Sequence, residues 1–260
     1  GDGNTASVRM GFPIGQNPDA VLDNSPRWNI TNDDVAISYT GIQGNHTTGF
    51  EIPPSRTISS LTIENIFNNP SNIILNGGDL NVTNTINLLS DPGNNRRLIL
   101  GNNNLFCGGA IFGGSKTSAY IVTDGNGVFK RPVTPGATVE FPIGASTTSY
   151  DSVSLTFTNN SELDTFGIKV TGPSFSHQPL DTSKLVKREW NITENTHGND
   201  TANISLTYDD NAPTGNNYSE MNPIVMGHYE SGHWTEKMAT ISGHTITANG
   251  FKSFSPFGIG

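Results

Sequence analysis

Apolar and polar residues alternate along much of this chain with the two-residue period of β-strands. The clearest examples are Asp34 to Thr40 (DVAISYT), Val153 to Phe157 (VSLTF) and Ile204 to Tyr208 (ISLTY). Since successive side chains of a strand point to opposite faces, this alternation predicts strands with one buried face. Few stretches show the 3.6-residue hydrophobic period of amphipathic helices. We therefore predict less than roughly 8% α-helix, against about one third in an average globular protein.

The first 57 residues carry little strand pattern apart from residues 34–40. Phe50 to Ile52 is a second, shorter strand candidate. Five prolines interrupt the segment: Pro13, Pro18, Pro26, Pro53 and Pro54. Because proline removes a hydrogen bond from a strand ladder, we expect residues 1–57 to form an irregular cap or an edge-strand region.

Residues 58–129 repeat short apolar runs separated by breaks rich in Asn and Gly. Ile73 to Val82 (IILNGGDLNV) aligns with Leu98 to Cys107 (LILGNNNLFC) at a spacing of 25 residues. Strand-and-turn repeats of this length favour a short parallel β-solenoid, in which each coil buries its apolar face against the next. A plain β-meander is the alternative. Cys107 aligns with Val82, which predicts a small buried hydrophobic residue rather than a reactive thiol.

Residues 130–260 contain nine strand candidates with turn signals between them. These candidates are Thr138 to Pro142, Ser152 to Thr158, Gly167 to Val170, Val186 to Thr193, Ala202 to Tyr208, Ile224 to Tyr229, Thr235 to Ile241, Thr245 to Ala248 and Phe251 to Phe254. Many short alternating strands joined by tight turns are typical of an antiparallel β-sandwich. The predicted fold is therefore all-β, with a solenoid followed by a sandwich.

Composition narrows the classes of partner. Charged residues make up only 14% of the chain, and the net charge is −9. A nucleic-acid surface needs clustered Lys and Arg, and no such patch occurs. No apolar run approaches the roughly 20 residues of a membrane span. We expect neither nucleic acid nor a membrane as a partner.

The usual catalytic motifs are missing, so we predict that the chain is not an enzyme. Six histidines occur, but no Gly-x-Ser-x-Gly elbow accompanies them. The Gly-rich stretch 108–117 has Ser115 where a phosphate-binding loop needs glycine before lysine. His228 and His233 flank a predicted turn without a third metal ligand, and we interpret them as turn or surface residues.

Calcium is the only cofactor that the sequence suggests, and its role would be structural. Clustered oxygen ligands occur at Asp33-Asp34, Asp124-Gly125-Asn126 and Asp209-Asp210-Asn211. The same patterns are also typical of Asx turns, in which the side chain bonds its own backbone. Both interpretations stay open.

Four segments resemble a module of large secreted surface proteins of Bacteroidota. They are Tyr120 to Gly127 (YIVTDGNG), Phe141 to Gly144 (FPIG), Arg188 to Glu194 (REWNITE) and Phe251 to Phe257 (FKSFSPF). The resemblance covers about residues 58–260 and implies a solenoid, a sandwich and export through type IX secretion. It also implies O-glycosylation at Asp-Ser/Thr-aliphatic motifs, which Asp151-Ser152-Val153 matches. Residues 1–260 open with a polar, Gly-rich stretch and contain neither a signal-peptide pattern nor a sorting domain, so we expect a processed or trimmed chain.

These observations predict a secreted, non-enzymatic structural or adhesive surface protein. Copies of the chain are the expected partners, in a head-to-tail filament or surface array. We expect the C-terminal segment to add as a strand to a neighbour. Its predicted anchors are Phe251, Phe254, Phe257 and Ile259.

The alternative function is that of a carbohydrate-binding module, with an extracellular polysaccharide as partner. Trp28, in the Pro-rich opening, is the best candidate for stacking on a sugar ring. Trp190 lies in an alternating strand pattern and Trp234 follows a predicted hairpin turn, and we predict that both pack in the core.

Overall fold

The computed structural model describes ten stretches of the chain. They are residues 6–10, 35–40, 44–64, 72–89, 96–158, 163–179, 181–196, 198, 200–220 and 223–260. These residues form strands and one 3-10 helix, with no α-helix among them. The all-β prediction is therefore confirmed. The chain divides into two compact units, Gly1–Val128 and Phe129–Gly260; the sequence placed a boundary between residues 129 and 130.

The N-terminal unit is a parallel β-solenoid of about four turns. Its strands are β1 (Ala6–Met10), β2 (Val35–Thr40), β3 (His46–Thr47), β4 (Thr57–Glu64), β5 (Ile73–Ile74), β6 (Leu80–Leu88), β7 (Arg97–Ile99), β8 (Leu105–Cys107), β9 (Ala110–Gly113) and β10 (Tyr120–Val122). One sheet runs β1-β2-β4-β6, with β8 and β9 both pairing with β6, and a second runs β3-β5-β7-β10. Every described pairing between these strands is parallel.

The 25-residue repeat sets the strand register. Ile73 pairs with Leu98 and Leu80 with Leu105, each across 25 residues. All four side chains are buried. Because aligned coils stack identical apolar positions, the core continues from one coil to the next. The predicted solenoid is confirmed, and the β-meander alternative is wrong for these strands.

The parallel pairing extends into residues 1–57, for which the sequence predicted a cap or edge region. Residues 50–52 are not a strand but part of a turn. There Glu51 lies buried and accepts the Tyr39 hydroxyl at 2.6 Å and the Gly49 N–H at 2.9 Å. Burial by itself would raise the pKa of Glu51, but hydrogen bonds from His46 and Tyr39 lower it below its ordinary value. These bonds explain why a strand-like pattern folds as a turn.

Asparagine side chains join the turns of successive coils. The Asn103 side-chain amide donates to the Leu75 carbonyl at 2.8 Å and accepts the Gly78 N–H at 3.1 Å. The Asn104 side chain accepts the Val128 N–H at 3.0 Å. An amide supplies both a donor and an acceptor, so it can pair backbone groups that no strand ladder reaches. This need accounts for much of the asparagine in the Gly- and Asn-rich breaks.

The C-terminal unit contains twelve further strands and the 3-10 helix Thr182–Lys184. The strands are β11 (Phe129–Val133), β12 (Thr138–Phe141), β13 (Ile143–Gly144), β14 (Val153–Phe157), β15 (Asp164–Thr171), β16 (Val186–Glu194), β17 (Ala202–Thr207), β18 (Val225–Glu230), β19 (His233–Met238), β20 (Thr240–Ser242), β21 (Thr245–Phe251) and β22 (Pro256–Ile259). Within this unit the order β11-β15-β16-β22-β18-β19 forms sheet I, and the order β12-β14-β17-β21-β20 forms sheet II. Pairing within both sheets is antiparallel.

Aromatic side chains join the inner faces of the two sheets. Phe157 of sheet II meets Phe166 of sheet I edge-to-face at 4.9 Å, and Phe251 meets His228 at 5.7 Å. Trp190 is fully buried and donates its indole N–H to the Asp151 carbonyl at 3.1 Å. The predicted sandwich and the core position of Trp190 are therefore confirmed.

Threonine and serine cover the outer face of sheet II. Cross-strand hydroxyl pairs lie 2.8 Å apart at Thr138–Thr156, Ser205–Thr247 and Thr207–Thr245. Their neighbours along the strands, such as Leu155 and Ile246, point inward and are buried. Hydroxyl pairs of this kind stabilise sheets, and they explain the abundance of threonine.

The C-terminal segment lies inside the chain's own sheet. Strand β22 pairs with β16 on one side and β18 on the other. Phe251 ends β21 and a new strand begins at Pro256, so the strand predicted from Phe251 to Phe254 is wrong. The Pro256 position is compatible with strand pairing because proline is tolerated at the first residue of a strand.

The four predicted assembly anchors are therefore packed within one chain. Phe257 and Ile259 are fully buried, Phe251 is 5% exposed, and Phe254 meets Phe166 edge-to-face at 4.8 Å. Addition of this segment to a neighbour would require β22 to leave the middle of sheet I. Its burial removes the reason for expecting it to be a free donor strand.

The Asn103 bridge can be tested by substitution. Asn103→Ala leaves the Leu75 carbonyl and the Gly78 N–H without this partner, and we expect a loss of about 1–3 kcal/mol in unfolding free energy. Urea denaturation measures it. The exposed neighbour Asn102, whose side chain accepts the Asn126 N–H at 3.2 Å, is the matched control. A loss for Asn102→Ala as large as that for Asn103→Ala would contradict the account.

The position of β22 predicts a severe effect of truncation. Removing residues 256–260 deletes a central strand and exposes the edges of β16 and β18. We expect the unfolding free energy of the C-terminal unit to fall by more than about 4 kcal/mol. A loss of this size is typical of disrupted core packing or backbone networks. Near-ultraviolet circular dichroism during thermal unfolding measures it. An unchanged melting curve for the truncated chain would show that β22 is dispensable.

Candidate functional site: a groove on sheet I

A cavity of about 450 Å³ lies on the C-terminal unit, along the outer face of sheet I. Its floor is formed by β18 and β22, its edge by β19, and its opposite wall by residues 175–179 and 181–185. Strand alternation explains the floor. In β22 the inward residues are Phe257 and Ile259, which leaves Gly258 on the outer face.

Glycines make the floor a trough. Gly227 of β18 pairs directly with Gly258 of β22, and Gly260 exchanges two backbone hydrogen bonds with Val225. No side chain rises from these three positions. A Cβ at Gly258 would lie 3.8 Å from both the Phe175 and Trp234 rings, and one at Gly227 would lie 3.3 Å from the Trp234 ring, so these glycines let the two rings lie close to the sheet backbone.

Trp234 forms the wall at the sheet edge. Its indole N–H donates to the His177 carbonyl at 3.0 Å, and its ring meets Tyr229 at 5.5 Å. Phe175 stands edge-to-face with it at 6.4 Å. The ring is thus fixed on two sides while its remaining surface faces the cavity. The prediction that Trp234 packs in the core was wrong, because β19 is an edge strand and the side chain is only half-buried.

The opposite wall is anchored by a buried glutamate. Glu189 of β16 accepts the Ser176 N–H at 2.9 Å and the Ser176 hydroxyl at 2.6 Å. His177 stacks on Tyr229 at 3.9 Å. These contacts hold residues 175–177 against sheet I, so the groove is formed before any ligand arrives.

The rim carries charged groups. Asp181 caps the 3-10 helix by accepting the Ser183 hydroxyl at 2.6 Å and its N–H at 2.9 Å. Hydrogen bonds from the Ser183 hydroxyl and backbone lower the pKa of Asp181, which keeps it an ionised acceptor. Lys184 lies 3.9 Å from Asp181, and Glu236 of β19 lines the other side. The rim therefore offers two carboxylates and one ammonium group.

Ser176, His177 and Glu189 form a contact that resembles part of a catalytic triad. The Ser176 hydroxyl lies 2.9 Å from His177 Nδ1, but it donates its single proton to Glu189. In a triad the carboxylate orients the histidine, and the histidine accepts the serine proton. Here the carboxylate itself accepts the hydrogen bond from the serine hydroxyl. The arrangement fixes a loop and does not activate a nucleophile.

A second, more polar cavity of about 460 Å³ surrounds His244. The imidazole lies 2.8 Å from Asp210 and 3.3 Å from Glu220, and it stacks on Tyr208 at 4.7 Å. The Tyr208 hydroxyl donates to Glu220, and the Tyr218 hydroxyl donates to that of Tyr208. Burial, and then these hydrogen bonds, raise the pKa of Tyr208. The groups mainly satisfy one another and hold the loop before β18.

Within the described residues, three carboxylates could hold a hard cation. Oxygens of Asp164, Glu194 and Asp200 lie within 4.8 Å of one another, and two of the three residues are buried. Asp164 already accepts the N–H groups of Thr165 and Thr196, at 2.7 and 3.0 Å. An all-oxygen set suits calcium or magnesium rather than zinc. The sequence had no signal for this group, since the pairing of β15 with β16 brings Asp164 near Glu194, and Asp200 joins them from two residues before β17.

The predicted calcium segments have other roles. The Asp209 side chain accepts the Asn211 N–H at 2.9 Å and the Tyr150 N–H at 3.3 Å, which is the alternative Asx-turn interpretation. Residues 124–126 form a solenoid turn in which Gly125 packs closely against the Gly101 carbonyl. Asp33 and Asp34 lie outside the described residues.

The predicted glycosylation motif lies in a buried network. Ser152 is 8% exposed, and its side chain bonds Tyr150. Asp151 is fully buried and accepts Arg188 Nε at 3.2 Å and the Ser149 hydroxyl at 2.8 Å. A buried hydroxyl is not accessible to a modifying enzyme, so the folded chain does not support modification at Ser152. Asp151 holds β14 against β16 instead.

The outcomes for the remaining predicted site residues differ. Trp28, the predicted sugar platform, lies outside the described residues. Cys107 is buried, as predicted. His228 is 4% exposed and stacks on Phe257 at 4.4 Å, so its interpretation as a turn or surface residue is wrong. Burial lowers the pKa of His228 and favours its neutral form. His233 is exposed in β19.

Comparison with known proteins found no match for this chain. The chain matches no family model, no curated protein and no solved structure. Among the described residues, no helix has the length and apolarity needed to cross a membrane.

The Asp151–Arg188 pair gives a test of this buried network. Arg188→Ala leaves the Asp151 carboxylate buried without its cation, and we expect a loss of about 3–5 kcal/mol in unfolding free energy. Guanidinium denaturation measures it. Lys184→Ala, which breaks the exposed Lys184–Asp181 pair, is the control and should change stability very little. Equal losses for the two variants would contradict the structural role of Asp151.

Proposed function

We propose that this chain is a non-enzymatic structural or adhesive protein of an extracellular surface. The observation that carries the proposal is the preformed groove on sheet I. Its walls are rings and its rim is charged, so it is built to hold a ligand. The nearest serine, histidine and carboxylate are arranged to fix the wall rather than to react.

The solenoid supports the structural part of the proposal. Its coils are joined by parallel backbone ladders and by side-chain amides such as that of Asn103. Each coil buries its apolar face only against its neighbours, which favours a role as an extended scaffold. The C-terminal unit adds the surface for binding.

The extracellular part of the proposal rests on surface chemistry. Only 14% of the chain is charged, and hydroxyl groups cover the outer face of sheet II. The single thiol, Cys107, is buried, which protects it from oxidation. These features suit a protein exposed to an oxidising medium and to other surfaces.

Copies of the chain are the proposed partners in the structural form of the function. Since β22 is used internally, association would involve the edge strands β19 and β20. Edge strands present unpaired backbone groups that can pair with another chain. Sedimentation velocity at increasing concentration detects such association directly.

Binding without turnover is the expected behaviour. We expect the purified chain to be retained by at least one immobilised extracellular polymer, or to sediment as multimers, without cleaving ester, peptide or glycoside substrates. Ser176→Ala is the control, because Ser176 would supply the nucleophile of an enzyme built on this wall. Turnover by the intact chain that disappears in Ser176→Ala would overturn the proposal.

A further inference from the structure

We propose that the groove on sheet I is a binding site for a neutral, pyranose-containing oligosaccharide, with Trp234 as its stacking surface. The inference rests on the proposed binding function and names the ligand of that site. It assigns the site to residues 175–179 and 181–185 and to β18, β19 and β22.

The size and shape of the groove suit a short saccharide. Its volume of about 450 Å³ lies within the range of small-ligand sites, roughly 300–1,000 Å³. Gly227 and Gly258 let the Trp234 ring lie close to the sheet backbone, so the ring itself would be the surface on which a ligand rests.

The aromatic walls match the apolar face of a pyranose. A sugar ring presents several axial C–H groups on one face, and these pack on an aromatic ring. The Trp234 N–H is already bonded to the His177 carbonyl, so the indole presents its apolar surface to the cavity. The neighbouring rings of Phe175 and Tyr229 hold the indole in place, which lowers the conformational entropy lost when a ligand binds.

The rim matches the hydroxyl groups of a sugar. Asp181 and Glu236 are acceptors for hydroxyl donors, and Lys184 is a donor for ring or hydroxyl oxygens. A purely apolar ligand would leave these groups without new partners. A peptide strand could satisfy the backbone edge of β19, but it would not use carboxylates on both sides of the trough.

Charge favours a neutral saccharide over an acidic one. The rim has two carboxylates against one ammonium group, and the whole chain carries a net charge of −9. Uronic acids and sulfated sugars would meet repulsion at close range. The geometry therefore selects against anionic polysaccharides.

The test compares binding of the intact chain and three variants. The probes are an array of neutral gluco-, manno-, galacto-, xylo- and chito-oligosaccharides, with polygalacturonate and heparin as anionic counterparts. Calorimetry then measures the affinity of the best neutral probe. Trp234→Ala removes the stacking surface. Glu236→Ala removes an exposed rim carboxylate that lines the cavity.

Met238→Ala is the matched control. Met238 lies on β19, is 68% exposed, and does not line the cavity. We expect Trp234→Ala to weaken binding about tenfold or more, the effect of losing a central contact, and Glu236→Ala to weaken it by less. Met238→Ala should bind as the intact chain does. The melting temperature of Glu236→Ala should stay near that of the intact chain, which separates loss of the site from loss of the fold.

Three results would overturn the inference. They are failure to bind any neutral probe, preference for the anionic probes, and binding that Trp234→Ala and Glu236→Ala leave unchanged. If the chain is still retained by a protein surface or by itself, the adhesive or structural function stands and only the saccharide site fails. Turnover of a substrate would instead remove the proposed function.

Discussion

The C-terminal unit depends on the pairing of β22 between β16 and β18. That pairing completes the backbone hydrogen bonds of both neighbours in the middle of sheet I. Strand alternation then sends Phe257 and Ile259 into the core and turns Gly258 outward. One strand therefore supplies both the centre of the hydrophobic core and the floor of the groove. Without β22, the Trp234 ring would lose the backbone at Gly258 against which it lies.

The solenoid obeys a different constraint, which is the need to satisfy backbone groups between coils. Parallel ladders satisfy the strands, but the turns lie outside the ladders. Asn103 bridges two turns through a donor and an acceptor on the same side chain. Gly125 and Gly127 allow their turn to approach the Gly101 and Asn103 carbonyls, where any Cβ would collide. Gly and Asn are thus the residues that this stacking demands.

Local patterns predicted the fold better than they predicted the site. The 25-residue spacing was sufficient to place Ile73 beside Leu98, because a repeat carries its own register. The groove had no such signal. Gly227 and Gly258 lie 31 positions apart, and only strand order makes them neighbours. The carboxylates of Asp164 and Glu194 meet for the same reason, and Asp200 reaches them from two residues before β17.

Edge position explains the error at Trp234. The place of Trp234 after a hairpin turn predicts a core position, but β19 has a neighbour on one side only. The alternating pattern around Trp190 predicts a core position too, and Trp190 lies in a central strand and is fully buried. Burial of an aromatic residue therefore depends on sheet order, which a strand's own sequence does not contain.

Native-state hydrogen exchange of the C-terminal peptide, residues 251–260, tests the central claim most directly. If β22 is a central strand of its own sheet, its amides exchange among the slowest in the C-terminal unit, and their rates do not depend on protein concentration. Exchange as fast as that of exposed turns, or protection that grows with concentration, would contradict the account.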